Sequence, residues 1–129
     1  MIIGFTGHRD RLTSTSALKA VMDSHPGSIW VHGGAEGFDT QVNDFALANG
    51  FQPEVVRPDY KAYPPRRAPL ERNKVIVDMC DLLVACYDGR KEGGTCQAID
   101  YALKQGKEIH RVPVHVIEKN DQPAAQAEE

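Results

Sequence analysis

Asp81-Leu82-Leu83-Val84-Ala85-Cys86-Tyr87, residues 81–87, is an almost unbroken apolar run closed by the turn Asp88-Gly89. A strand wet on one face alternates apolar and polar residues, so a run without alternation predicts a strand covered on both faces. That environment belongs to parallel sheets with helices on either side. The flanking sequence predicts the same arrangement. Gly93-Gly94 opens a helix over Thr95–Gln105 whose apolar face is Ala98, Ile99, Ala102 and Leu103, and Gly106 ends it. Lys107–Val112 then reads as another strand. Upstream, a helix starts near Pro69, which suits a first turn, and runs to about Met79.

The pattern repeats toward the N-terminus. Ile2–Thr6 is a short apolar strand, followed by a helix within Thr13–Ser24 carrying Leu18, Val21 and Met22 at helical spacing. Ser28–His32 is a second strand, Phe38–Ala48 a second helix, and Gln52–Arg57 a third strand stopped by Pro58. Strands alternating with helices predict right-handed crossovers. The expected fold is α/β: a three-layer Rossmann-like domain with a mainly parallel sheet of about five strands. Val114–Ile117 is expected to add a further edge strand. One domain over 1–117 accounts for the pattern, leaving 118–129 as a polar, Ala-rich tail. A chain of 129 residues buries roughly two-thirds of its unfolded surface, enough for a core without disulfides.

Composition narrows the function. The formal charge is −3, which argues against a protein dedicated to duplex DNA. Cys80, Cys86 and Cys96 lack paired or metal-ligand spacing and read as reduced thiols, so no metal or cofactor is expected. Only Cys96, at a helix N-terminus, has a setting that would favour thiolate. There is no basic leader and no run approaching ~20 apolar residues. A cytoplasmic protein is the expectation.

Three glycine-bearing loops follow three strands: Thr6-Gly7-His8-Arg9-Asp10, Gly33-Gly34-Ala35-Glu36-Gly37-Phe38-Asp39 and Gly93-Gly94-Thr95. In a parallel sheet all three fall on the carboxyl edge, where open α/β sheets bind ligands. Glycine admits close backbone approach, and the helix that follows presents unbonded N–H groups to an anion. Any one loop is equally a tight turn; three on one edge point to a phosphate-bearing ligand. Neither a GxGxxG fingerprint nor a P-loop is present.

Arg72 lies on the buried stripe of its helix but in the first turn, where a cation opposes the helix dipole. A ligand phosphate would compensate it, as would an ion pair with Asp81 or Glu71. Asn73 beside it could bond a base or ribose. Arg9 could fork onto phosphate, and His8 could donate to it or move a proton. Asp39 either caps its helix or bonds a ribose hydroxyl. Glu36 is a candidate general base, His32 a structural histidine. Arg66 and Arg67, with Tyr60 and Tyr63, form a proline-stiffened basic loop that could close over a nucleotide.

TGHRD after the first strand, GGAEGFD after the second, ERN on the third helix and GGT after DLLVACYDG together resemble the YpsA-like branch of the SLOG superfamily, over about Ile2–Val112. That superfamily is named for the DNA-processing protein Smf/DprA and the Lonely Guy enzymes. The resemblance implies a Rossmann-like sheet binding nucleotides or related ligands at the glycine loops, with activities that diverge among members. Residue by residue, Thr6, Gly7, His8, Arg9, Gly33, Gly34, Ala35, Gly37, Asp39, Arg72, Asn73, Gly93, Gly94 and Thr95 would contact the ligand. Lonely Guy enzymes are phosphoribohydrolases that use an Arg and a Glu. Arg72 matches that Arg, and Gly93, Gly94 and Thr95 match part of the PGGxGTxxE loop, but Ala98 occupies the Glu position. A hydrolase would need Glu36, Asp39, Glu92 or Asp100 instead, with Asp100 about half a turn from the expected face. The leading expectation is a sensor or accessory protein that binds a nucleotide-derived ligand. An N-glycosidic hydrolase with Arg72, Glu36 and Asp100 in catalytic roles comes second, and a single-stranded nucleic-acid binder third. A homodimer is expected by analogy with related folds.

Overall fold

The computed structural model describes residues 1–116, so the expected tail over 118–129, together with Ile117, lies outside the described residues. In chain order the elements are β1 (Ile2–Gly7), β2 (Arg11–Leu12), α1 (Thr15–Ser24), β3 (Ile29–His32), α2 (Phe38–Ala48), β4 (Glu54–Val55), α3 (Ala68–Met79), β5 (Leu82–Cys86), α4 (Gly94–Lys104), β6 (Glu108–Arg111) and β7 (His115–Val116). Five strands form one all-parallel sheet in the order β4-β3-β1-β5-β6. The chain runs outward from β1 to one edge, then returns to β5 on β1's other side and runs to the opposite edge. The reversal at β1/β5 is a topological switch point, where the two flanking connections leave a crevice beyond the strand ends.

Side-chain alternation along the strands divides the core in two. Ile3↔Leu82 and Phe5↔Val84 are register partners, so each pair points the same way. With Trp30, Val31's neighbour on β3, they pack beneath Leu18 and Val21 of α1 and Phe38, Val42 and Ala46 of α2. Leu83 points oppositely, onto Val77 of α3 and Ala98 and Ala102 of α4. These are the two helical layers of a three-layer fold. Trp30 anchors the first: Phe5 lies 4.5 Å away, Phe45 stacks at 5.7 Å, and Phe51 meets it edge-on at 5.0 Å. α1 begins at a true cap, with Ser14 Oγ accepting from Ala17 N–H at 3.1 Å.

Two expectations change. The third strand keeps only Glu54–Val55 of the expected 52–57. Pro53 brings no N–H to a ladder and Pro58 closes the far side, so an edge strand there stays short. The Val114–Ile117 segment does not extend the parallel sheet. After Pro113 the chain turns, and β7 pairs antiparallel with β2, a two-residue strand in the β1–α1 connection. Two residues hold no periodicity, so nothing in Arg11-Leu12 announces a strand.

Candidate functional site

The carboxyl ends of β1, β3 and β5 open onto a cleft of about 1070 Å³. Thr6, Gly7, His8, Arg9, Ala35, Asp39, Arg72, Asn73, Gly93, Gly94 and Thr95 all line it. Gly33, Gly34 and Glu36 line an adjoining cavity of about 540 Å³, with Arg9, Ala35 and Arg72 shared by both. Gly37 packs beneath the first loop: its φ is +75°, and a Cβ there would lie 2.4 Å from the Arg9 carbonyl oxygen. No side chain but hydrogen fits. Asp100 is exposed on α4, lines neither cavity, and has its Oδ2 4.0 Å from Cys96 Sγ. Five positions past Thr95 lie well round the helix from the cleft.

The loop after β3 closes on itself. Asp39 Oδ2 accepts from the Gly33 N–H at 3.1 Å and the Ala35 N–H at 3.2 Å. Gly34 N–H donates to His32 Nδ1 at 2.9 Å, which leaves His32 Nε2 to donate to Asn43 Oδ1 at 2.9 Å. All three amides expected to cradle a phosphate already have acceptors. Asp39 is not the helix cap, which is Gly37; it sits at the second position of α2 and reaches back. Burial pushes its carboxyl above the usual carboxylate range, against the pull of the two amides and of Arg72.

Arg72 is held by backbone. Its Nη1 donates to the Gly33 carbonyl and, at 3.4 Å, to the Val56 carbonyl, and its Nε donates to Asn73 Oδ1 at 2.8 Å. Neither acid expected to pair with it does so: Glu71 meets Arg67 and Lys74, and Asp81 accepts from the Ile2 N–H. The guanidinium ties the ends of β3 and β4 to α3, and it lies so close to Gly33 that a Cβ there would stand 2.5 Å from Nη1. Burial lowers the Arg72 pKa and Asp39 partly offsets the shift, although no Arg72–Asp39 ion pair forms within 4.0 Å. Nη2 makes no hydrogen bond among the described residues.

The third loop is built differently. Gly93 is the N-cap of α4, with no side-chain cap and no acid in the first turn. The first backbone bond into the helix is Gln97 N–H to the Gly93 carbonyl, so the N–H groups of Gly94, Thr95 and Cys96 have no acceptor among the described residues. Beside them two buried hydroxyls meet, Thr6 Oγ1 and Thr95 Oγ1 at 3.5 Å. Asn73 Nδ2 donates to the Gly94 carbonyl and braces α4 against α3. Gln97 lines the cleft, whereas Ala98, the position of the hydrolase carboxylate, packs into the core with Val77 and Leu83.

His8 is 6% exposed. Asp88 N–H donates to its Nε2 at 3.2 Å, which makes Nε2 an acceptor and leaves the proton on Nδ1. Asp88 Oδ1 also lies 3.1 Å from Nε2, a spacing that would suit an imidazolium. Burial and Arg90 nevertheless lower the His8 pKa, which favours the neutral ring. Nδ1 makes no hydrogen bond among the described residues and remains a donor on a residue that lines the cleft.

Arg9 and Glu36 form a rim pair at 3.4 Å with about three-quarters of each side chain in water, which places Glu36 outside the cleft. The basic loop divides: Arg66 lines the cleft, Tyr60 the adjoining cavity, and Arg67 sits 5.4 Å over Tyr63. Sequence reasoning missed the network at the mouth. Arg90 Nη2 binds Asp88 at 2.6 Å and Asp10 at 3.0 Å, and Arg11 reaches Asp88 at 3.2 Å. Arg90 holds the Asp88 carboxyl well below the usual carboxylate range. The available signal was positional, since Asp88 and Arg90 follow β5 on the same carboxyl edge. Burial pushes the Cys86 thiol up to about 11, and Cys80 is raised likewise.

Among the described residues no helix is long and apolar enough to cross a membrane. Comparison with family models, curated proteins and solved structures returns no match for the chain.

Proposed function

We propose that the chain binds a nucleotide or nucleotide-derived phosphate ligand in the cleft, as a sensor or accessory protein. The observation that carries this reading is the open N-terminus of α4 at the topological switch point. Three backbone N–H groups there lack acceptors among the described residues, two buried hydroxyls stand beside them, and Arg66 and Arg90 line the same cleft. An anion at a helix N-terminus is favoured by both the amides and the dipole. The His8 Nδ1 donor gives a polar ligand a further partner. The resemblance to the SLOG superfamily supports the same ligand class. Binding rather than cleavage is proposed because the position of the hydrolase Glu is Ala98, packed in the core, and the two carboxylates named for a catalytic role stand off the cleft, Asp100 on the exposed face of α4 and Glu36 at the rim. Of the other candidates, Asp39 is tied to the Gly33 and Ala35 amides, and Glu92 lines the cleft. A homodimer in the cytoplasm belongs to the same proposal by analogy, and sedimentation measures the dimer.

Thermal-shift measurements against nucleoside 5′-mono- and diphosphates, cyclic nucleotides and inorganic phosphate test the reading. A ligand selective for the folded state at a hundred times its Kd adds about 2.7 kcal/mol of apparent stability. A melting temperature that no nucleotide moves would sink it.

A further inference from the structure

We propose that the cavity adjoining the cleft is a second anion site, built on Arg57 and the unbonded edge of Arg72, and that the ligand is a nucleoside bisphosphate, with one phosphate at C5′ and another elsewhere on the sugar. The inference rests on the nucleotide reading above and narrows it to a class of ligand.

The two glycines after β3 each make room for a guanidinium. A Cβ on Gly33 would stand 2.5 Å from Arg72 Nη1, and a Cβ on Gly34 would stand 2.7 Å from Arg57 Nη1. Both arginines line the cavity of about 540 Å³, together with Arg9. Glu36 is the one acid in that lining among the described residues, and it meets Arg9 at 3.4 Å. Arg57 makes no hydrogen bond or ion pair among the described residues. Arg72 uses Nε and Nη1 and leaves Nη2 unbonded. Among the described residues the side-chain atoms both unpartnered and sealed from solvent are Thr13 Oγ1 and Asp39 Oδ1. Nη2 is not one of them, so it keeps accessible surface on a residue that lines both the cleft and the cavity.

Two guanidinia seated on consecutive residues without a carboxylate between them repel each other, and an anion that touches both removes the repulsion. Their N–H groups fork onto phosphate oxygens. The Gly33, Gly34 and Ala35 amides already have acceptors, so side chains rather than backbone would hold this anion. The position is separate from the α4 N-terminus. α4 starts beyond β5, whereas Gly34 and Arg57 follow β3 and β4, with β1 between. At least two inter-strand spacings, about 10 Å, lie between the sites, more than one phosphate bridges. A ribose holds the two phosphates of a bisphosphate apart, and a hydrogen bond of about 3 Å at each end extends their reach. A 5′-diphosphate has the same number of phosphates at one end only and leaves the second site empty.

Nucleoside 3′,5′- and 2′,5′-bisphosphates are titrated beside the 5′-diphosphate of the same base, on the wild type and on Arg57→Gln. Because the phosphate count is matched, extra charge alone favours neither. In the wild type one of the bisphosphates binds roughly tenfold to a hundredfold more tightly than the diphosphate, the range for hydrogen bonds to a charged group. In Arg57→Gln that preference falls at least tenfold while the affinity for the diphosphate is unchanged. Arg57 is exposed, so the ligand-free melting temperature stays where it was. Wild-type affinity for both bisphosphates no higher than for the diphosphate overturns the inference and leaves the nucleotide reading standing, as does a preference that survives in Arg57→Gln. Silence toward every nucleotide removes both.

Discussion

Two glycine loops at the same edge of one sheet put their amides to opposite use. Gly33-Gly34-Ala35 after β3 and Gly93-Gly94-Thr95 after β5 look alike as sequence, each leading into a helix of eleven residues capped by a glycine. The N-cap of α2 is Gly37 and its second helical residue is Asp39; the N-cap of α4 is Gly93 and its second helical residue is Thr95. The first helix brings its own anion to that position and closes its loop. The second brings a hydroxyl and leaves its amides open. A glycine motif therefore marks backbone that can approach a ligand, while the acceptors folded back onto it, here Asp39 and His32, determine whether the loop amides are available.

The largest effect on this comparison should come from Arg72, which holds the closed loop from behind. Arg72→Ala leaves the Gly33 and Val56 carbonyls without their donor and removes a positive charge that helps hold the Asp39 carboxyl down. Chemical denaturation should show a loss of about 3 kcal/mol, in the range for breaking buried charged networks. A loss below about 0.5 kcal/mol, the scale of an ordinary surface change, would mean the guanidinium is no clamp. Arg72 was legible in the sequence as an unusual cation, buried and in a first turn. What compensates it was not legible, because two backbone carbonyls from β3 and β4 leave no trace in side-chain spacing.

Asp39→Ala opens the closed loop directly. It strands the Gly33 and Ala35 amides and should cost about 2 kcal/mol, the penalty for buried donors left unmade. An unchanged unfolding midpoint would show that water replaces the carboxylate. The reverse substitution is the sharper one. Thr95→Asp places on α4 the carboxylate that α2 already has. The stability of the ligand-free protein should change by less than about 1 kcal/mol, because an acid in the first turn favours the helix while burial opposes it. Any nucleotide-induced rise in melting temperature should vanish. A variant that kept the rise would place the phosphate away from α4.

The same contrast explains how far the sequence could be read. Periodicity and turn chemistry sufficed for the five strands and four helices because each is written locally, as in the unbroken 82–86 run or the Leu18/Val21 stripe. The carboxyl-edge rule then gathered Thr6, Gly7, His8, Arg9, Asn73 and Thr95 at one cleft. It placed Glu36 and Asp100 less well, since both lie near the right loops in sequence while their side chains end in water. The Asp10–Arg90–Asp88–Arg11 network escaped notice for a related reason: each partner is an ordinary loop charge until β1 and β5 lie side by side.

His8 carries the smallest effect, and the sign can be worked out. Burial lowers its pKa from the usual 6.5, so the folded protein takes up a proton at lower pH than the unfolded chain does. Stability from this residue is complete above about pH 6.5 and is lost as pH falls below it, where the unfolded chain binds the proton first. Asp88, lowered from 3.8, contributes stability that is lost only as pH falls below that value, so it does not act between pH 7 and 5. Asp39 has the opposite sign: its raised pKa means that protonation on acidification relieves a buried charge and slows the loss. Melting temperature measured from pH 7.5 to pH 5 should therefore decline for the wild type and decline less for His8→Gln, which keeps an acceptor for the Asp88 N–H but cannot be protonated. Parallel curves for the two proteins would mean that His8 is not the group that titrates. Its proton affinity would then be the same in the folded and unfolded chain, and the burial effect assigned to it would have to be given up.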